Sequence, residues 1–319
     1  MLLLAWGAVA GRSQELAVEL GGSATCFFPP GGPRPPVPAR WALSAAGTVA
    51  RVLWRRPDVL VVTNPPAPAA LVGWMASRLV GARFALDSHP GSFGAQGDRV
   101  AARLQRLNRW VTKRAVVTMV ASEHWRSVVG SWGATAVVVH ESPTGWERRP
   151  APEGRDRPQV LYVGRFARDE PWQVVLEAAA AVPGVDVVVT GDPPPGLDRS
   201  AVPPNVRLAG FLDPERYRAA VYEADCVMAL TTEPGSIVRA GCEAVWAGRP
   251  LIVSDWPEGR SAFPYALHAH NDAASVAGAL AHAADHLSDL RERVEPAYAV
   301  HAARWRVQRQ TLLEALDLS

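Results

Sequence analysis

The sequence predicts an α/β protein made of two consecutive Rossmann-like domains, and three observations carry that expectation. Short apolar runs alternate with helical stretches along the whole chain. The runs are apolar at nearly every position, as in parallel strands covered on both faces rather than half-exposed ones. The alternation occurs twice, interrupted by a polar segment rich in proline and arginine, ESPTGWERRPAPEGRDRP at 141–158. With 319 residues, 48% of them apolar, the chain is long enough to bury two cores.

In the first half the strands are read as LLLAW, DVLVVT, RFALDS, AVVTMVAS and ATAVVVH, with helices at 14–20, 68–80, 100–113 and up to 132. The proline-rich patch at 29–38 is read as a loop, because proline removes an amide donor and cannot sit in a central strand. Beyond the interruption come QVLYVG, DVVVTG, NVRLAG, DCVMAL and RPLIVSD, again separated by helices. The expected division is a first domain at 1–145, a linker at 146–158, a second domain at 159–297 and a terminal helical segment at 298–319. Ligands of open α/β sheets bind beyond the carboxyl ends of the strands, so a cleft between two facing domains is expected there.

Composition excludes several classes. The net charge is +2 from 33 basic and 31 acidic residues, which carries no overall polyanion signature and argues against nucleic acid as a partner. Lys113 is the only lysine, a bias that reads as genome base composition. Cys26, Cys226 and Cys242 are odd in number and far apart, suiting free thiols in a reducing, cytoplasmic setting, and no zinc spacing is present. Ala8-Val9-Ala10 imitates a signal cleavage site, but a basic leader is missing and the apolar stretch is short, so a first strand is expected instead. No apolar run reaches the roughly 18 residues needed to span a bilayer.

The segment TTEPGSIVRAGCEAVWAGRPLIVSD at 231–255 carries the most chemistry. It reads as a polar loop, a helix opened by the amides of Gly235 and Ser236, a turn and a buried strand. A helix N-terminus favours an anion, since unpaired N–H groups and the macrodipole both point there. Glu243 falls two turns after Ser236, where a carboxylate can accept from a ribose diol, and Arg239 one turn before it supplies positive charge. The combination has the form of a sugar-nucleotide site.

These residues resemble the donor-binding element of glycosyltransferases with two Rossmann domains (GT-B), family four in particular. Glu243-Ala244, Gly248, Pro250, Ser254 and Asp255 fit its pattern, whereas the first acidic position falls on Gly235 and the nearest acid is Glu233. Upstream, LYVGR resembles the strand ending in the family's Gly164-Arg165 pair, and NVRLAGFLDPERYRAAVYEADCVMA is similar to its next strand, helix and strand. The lysine usual after Gly-Arg is replaced by Asp169, Glu170, Pro171 and Trp172. That departure, with Gly11-Arg12-Ser13 and Asn64-Pro65-Pro66, is more similar to the chitobiosyldiphosphodolichol beta-mannosyltransferases. The resemblance implies a sugar donor carried on UDP or GDP and a hydroxyl acceptor, with no cofactor. It places the diphosphate at Gly164, Arg165, Gly235, Ser236 and Arg239, the ribose at Glu243 and the sugar at Glu233. Acceptor contacts fall to Gly11, Arg12 and Asn64, and the terminal helix at 298–316 returns to the first domain. No metal is implied, since arginines and helix dipoles would neutralise the leaving diphosphate and no Asp-x-Asp motif is present.

Asp87-Ser88-His89 follows a strand and precedes Pro90-Gly91. By itself it is an ordinary hydrogen-bonded turn. In the resembled fold His89, with Asp87, becomes a general base on the acceptor or a sugar contact, depending on whether configuration inverts. His140 and Glu141 are read as a hinge, and His268, His270, His282 and His286 as surface or packing residues. Arg99, Arg103, Arg106 and Lys113 share one face of a helix whose other face carries Val100, Leu104, Leu107 and Val111, with Trp110 at the border. A solvated face is the ordinary reading, and peripheral contact with the inner face of a membrane is the other. A catalytically silent partner subunit and a GT-B epimerase are the rival functions.

Overall fold

The computed structural model describes residues 1–7, 11–28, 35–93 and 99–318, the side chains of 99–101 excepted. The imitation cleavage site at 8–10 and most of the proline-rich patch lie outside the described residues, as does the side chain of Arg99. The chain divides into two compact units, Met1–Gly145 with Trp305–Ser319, and Trp146–Arg304.

Unit 1 is a parallel six-stranded sheet: β1 (Leu2–Ala5), β2 (Ser23–Cys26), β3 (Val59–Asn64), β4 (Arg83–Ser88), β5 (Thr118–Val120) and β6 (Ala136–Val138) in the order β2-β1-β3-β4-β5-β6. Its helices are α1 (Gly11–Glu19), α2 (Val37–Arg55), α3 (Ala67–Val80), α4 (Arg99–Thr112) and α5 (Glu123–Ser131). The order reverses between β1 and β3, so loops leaving those strands open onto a crevice. β2 and α2 were not expected from the sequence. β2 is an edge strand of Ser, Ala, Thr and Cys, without the apolar run that marks its neighbours. α2 turns Ser44, Thr48 and Val52 inward, so two polar residues hide its buried stripe, and Pro38 is accommodated in the first turn.

Unit 2 repeats the plan with β7 (Gln159–Tyr162), β8 (Asp186–Thr190), β9 (Val206–Gly210), β10 (Cys226–Ala229), β11 (Leu251–Ser254) and β12 (Leu267–Ala269), ordered β12-β11-β10-β7-β8-β9. Between them run α6 (Trp172–Ala181), α7 (Pro214–Glu223), α8 (Arg239–Ala247), α9 (Pro257–Ala262), α10 (Ala273–Asp285) and α11 (Leu287–Ala315). The reversal here lies between β7 and β10. β12 is an edge strand that the sequence reading missed. The last helix begins at Leu287 rather than at 298, and only its portion from Trp305 belongs to unit 1. The expected linker is bound to unit 2 over part of its length. Buried Arg249 donates from Nη1 to the carbonyl of Arg149 (3.0 Å) and from Nη2 to that of Pro150 (2.8 Å), and Arg291 donates to that of Pro152 (2.9 Å).

His301 sits inside unit 2 between Trp246, edge-on at 4.8 Å, and Phe263, stacked at 5.9 Å. Burial, reinforced by Arg304, pulls its imidazole down to about 4. The folded value is below the unfolded one of about 6.5, so the unfolded chain takes the proton first; the neutral ring stabilises fully above that pH and progressively less on acidification. His301→Phe should therefore lose roughly 2–3 kcal/mol less stability than the wild type between pH 7 and 4. Urea melts of both proteins across that range measure this, and parallel pH curves would contradict it.

Candidate functional site

At the reversal point of unit 2, two loops meet. The first follows β7. Gly164 is buried, its N–H donating to Thr190 Oγ1 and its carbonyl accepting from that hydroxyl, both at 3.0 Å. Opposite lies Gly191 (φ +89°), where a Cβ would come within 2.5 Å of the Gly164 oxygen, so the close approach requires glycine. Phe166 then takes the left-handed conformation (φ 56°) and turns the amides of Arg165 and Ala167 to one side. Such paired amides form an anion-binding nest. Glu170 fills it: its Oε2 accepts from Arg165 N (2.6 Å) and Ala167 N (3.0 Å). The acidic pair in place of the family's lysine thus supplies an internal carboxylate, and the Arg165 side chain, 83% exposed, extends into solvent.

The second loop follows β10 and is tied to the first by Thr232, whose N–H donates to Asp169 O at 2.7 Å. Its entry is held by Thr231, whose N–H donates to Ser254 Oγ (2.9 Å) and whose carbonyl accepts from Trp256 Nε1 and Asn271 Nδ2, each at 2.9 Å. The helix does not open at Gly235-Ser236. Gly235 is in a turn with φ 80°, and α8 begins at Arg239 after Val238. Glu243 consequently lies in the second turn of α8, closer to the helix start than expected. It is 3% exposed, with Oε1 accepting from Arg239 Nε (2.7 Å) and Oε2 from Tyr217 Oη (2.5 Å). Glu233 is exposed on the loop, its N–H donating to Thr231 Oγ1 (3.1 Å). Tyr217 and Asn271 carried no signal in the sequence, since each matters only through a partner distant in the chain.

In unit 1 the start of α1 and the ends of β3 and β4 converge. Arg12, in the first turn of α1 next to Gly11, was expected at an acceptor, but it is 9% exposed and serves as an internal cross-link. Its Nε donates to both oxygens of Asp87 (3.1 Å each), Nη1 to Glu141 Oε1 (2.8 Å) and Nη2 to Val139 O (2.9 Å). This inward placement follows from charge: two carboxylates at the carboxyl end of the sheet, Asp87 on β4 and Glu141 beyond β6, need a guanidinium, and Arg12 bonds both. Asn64, also expected at an acceptor, is likewise turned inward. It is 1% exposed, its side-chain Nδ2 donates to Asn108 Oδ1 (2.6 Å), and its backbone carbonyl accepts from His89 N (2.8 Å) and Ser92 Oγ (2.5 Å). The half-exposed group of this cluster is His89, whose Nε2 lies 3.6 Å from Asp87 Oδ2. Burial alone would push the Asp87 carboxyl up, yet Arg12 and His89 together hold it well below the usual carboxylate range, so it stays ionised behind the imidazole. Glu141, read as a hinge, is the second anion on Arg12. Among the described residues no group of three or more His, Cys, Asp or Glu is placed to hold a metal.

Residues 6–145 match the family described as Glycosyl transferase 4-like domain. No curated protein sequence matches the chain. Solved structures similar to it include HepE from Anabaena in complex with UDP and glucose, 14% identical, covering 99% of each chain, TM-score 0.74. Sucrose-phosphate synthase from Thermosynechococcus elongatus is 16% identical over 98% of this chain and 99% of its own, TM-score 0.70. The α,α-trehalose 6-phosphate synthase from Burkholderia multivorans is 12% identical over 99% and 98%, TM-score 0.67. At these identities the likeness is one of fold. The chain has the GT-B architecture of two parallel six-stranded α/β units.

Proposed function

We propose that the protein is a glycosyltransferase that moves a sugar from a nucleoside diphosphate donor to a hydroxyl acceptor. The observation that carries this reading is Glu243, a buried carboxylate at the reversal point of unit 2, aimed by Arg239 and Tyr217. The family match over 6–145 and the likeness to HepE, a protein captured with UDP, with UDP-glucose and with UDP and glucose, support it. In this reading Glu243 accepts from the ribose hydroxyls. The amides of Gly235 and Ser236 and the side chains of Arg165 and Arg239 meet the diphosphate, beside the buried turn at Gly164 whose amide stays on Thr190, and Glu233 meets the sugar. Arginines and amides neutralise the departing diphosphate without a metal. The acceptor oxygen attacks the anomeric carbon as the bond to the diphosphate breaks; the diphosphate leaves with the electron pair and His89 takes the acceptor proton. Gly11 borders that acceptor side. Free thiols and a nucleotide-sugar donor suit the cytoplasm.

Glu243→Ala is expected to weaken binding of UDP or GDP, whichever the wild type prefers, by about 1.5–3 kcal/mol, the range for hydrogen bonds to a charged group. Calorimetry on the folded variant measures it, and unchanged affinity rejects the assignment. A second reading, a catalytically silent partner subunit, is favoured by one observation: the amide nest at Arg165 and Ala167 already holds Glu170. Turnover with a panel of UDP and GDP sugars separates the two, since a silent subunit turns over none.

A further inference from the structure

We propose that helices α2, α3 and α4 of unit 1 form a docking surface for an anionic lipid bilayer. This does not rest on the glycosyltransfer reading. The three helices contain eight arginines and not one aspartate or glutamate, in a chain whose overall net charge is only +2. α3 packs between α2 and α4, and right-handed crossovers place all three on one side of the sheet, so their outer faces make one layer.

That layer is also apolar where water would be expected. Trp54 is 70% exposed, Leu79 66%, Met75 54% and Trp110 39%. Met75, Arg78 and Leu79 are spaced as one stripe of α3, and all three are exposed. Arginine and tryptophan are interleaved: the Arg55 guanidinium lies 4.8 Å over the Trp54 ring and that of Arg114 3.4 Å over Trp110. Amphipathic rings and arginine stems beside aliphatic side chains suit the boundary between headgroups and acyl chains, with the guanidinium groups on lipid phosphates. Single-stranded nucleic acid is the other polyanion such a surface could attract. It is disfavoured because Met75 and Leu79 gain nothing from it, and because both rings are already faced by the protein's own arginines, where a base would stack.

Co-sedimentation of the full chain with vesicles tests the proposal, without donor sugar, so its outcome is independent of activity. Binding is expected to phosphatidylcholine mixed with phosphatidylglycerol, weakening as salt rises, and not to phosphatidylcholine alone. The double change Arg103→Gln/Arg106→Gln should weaken it about 25-fold, about fivefold for each charge. Trp54→Ser/Leu79→Ser should weaken it at salt concentrations that screen the charge. All four positions are exposed, and far-UV circular dichroism verifies that the variants fold. No sedimentation with the anionic vesicles, equal sedimentation of both variants and wild type, or tighter binding to a single-stranded RNA than to vesicles would each overturn the assignment.

Discussion

His89→Ala is expected to lower turnover by roughly 100-fold or more while leaving donor affinity near that of the wild type, as for loss of a general base. The expectation rests on the geometry at the end of β4. Asp87 is buried, ionised and 3.6 Å from the Nε2 of His89, which is half-exposed and faces solvent with the rest of its ring. An imidazole so backed can accept a proton, because the charge it acquires is stabilised by a carboxylate that Arg12 keeps from protonating. Asp87→Asn should lower turnover as well, by removing that stabilisation. Steady-state kinetics of both variants with the donor found by screening provide the check, and near-normal turnover of His89→Ala leaves the residue a turn position. The anomeric configuration of the product, read by NMR, is a second check: inversion needs a base in unit 1, and retention reduces His89 to a sugar contact.

Arg12→Met is expected to cost roughly 3–5 kcal/mol of stability, the range for removing one partner of a buried ion pair. Two carboxylates depend on this guanidinium: Asp87, 2% exposed, and Glu141 Oε1 at 2.8 Å. The Asp87 pKa lies below its unfolded value, so the contribution of the pair is complete above the ordinary carboxylate range and fades as pH falls through the folded value. The gap between variant and wild type should accordingly be widest near neutrality and narrow below about pH 4. Denaturant titrations at several pH values measure both features. A gap that is constant with pH would mean that Arg12 acts through packing and not through charge.

Much of the fold was legible because the signal is local. A parallel strand buried on both faces must be apolar at every position, so the central strands of both sheets stand out of the sequence as runs such as VLVV at 59–62 and LIV at 251–253. The edge strands β2 and β12 were not legible, since a strand with one neighbour can be short and polar. The start of α8 was misplaced for a different reason. Gly235-Ser236 has the composition of a helix opening, but the turn at Gly235 carries the chain three residues further before the helix begins at Arg239.

The candidate site divides along the same line. The residues near Glu243 form one contiguous motif whose types and spacing could be read, and so could the strand ends that bring Gly11, Asn64 and His89 to the rim of one sheet. Which way their side chains turn could not. Arg12 faces inward because Asp87 and Glu141 lie 75 and 129 residues along the chain, and Asn64 because Asn108 lies 44 residues on. The sequence by itself determined the two α/β units, the loops that carry polar chemistry and the basic face of the helix at 100–113. Only the tertiary structure decided that Arg12 and Asn64 are internal supports, that Glu170 occupies its own amide nest and that His89 is the half-exposed group of its cluster. Burial and strand pattern are properties of a short stretch, whereas the pairing of charges and donors is settled by whichever distant groups the packed sheet brings within about 3 Å.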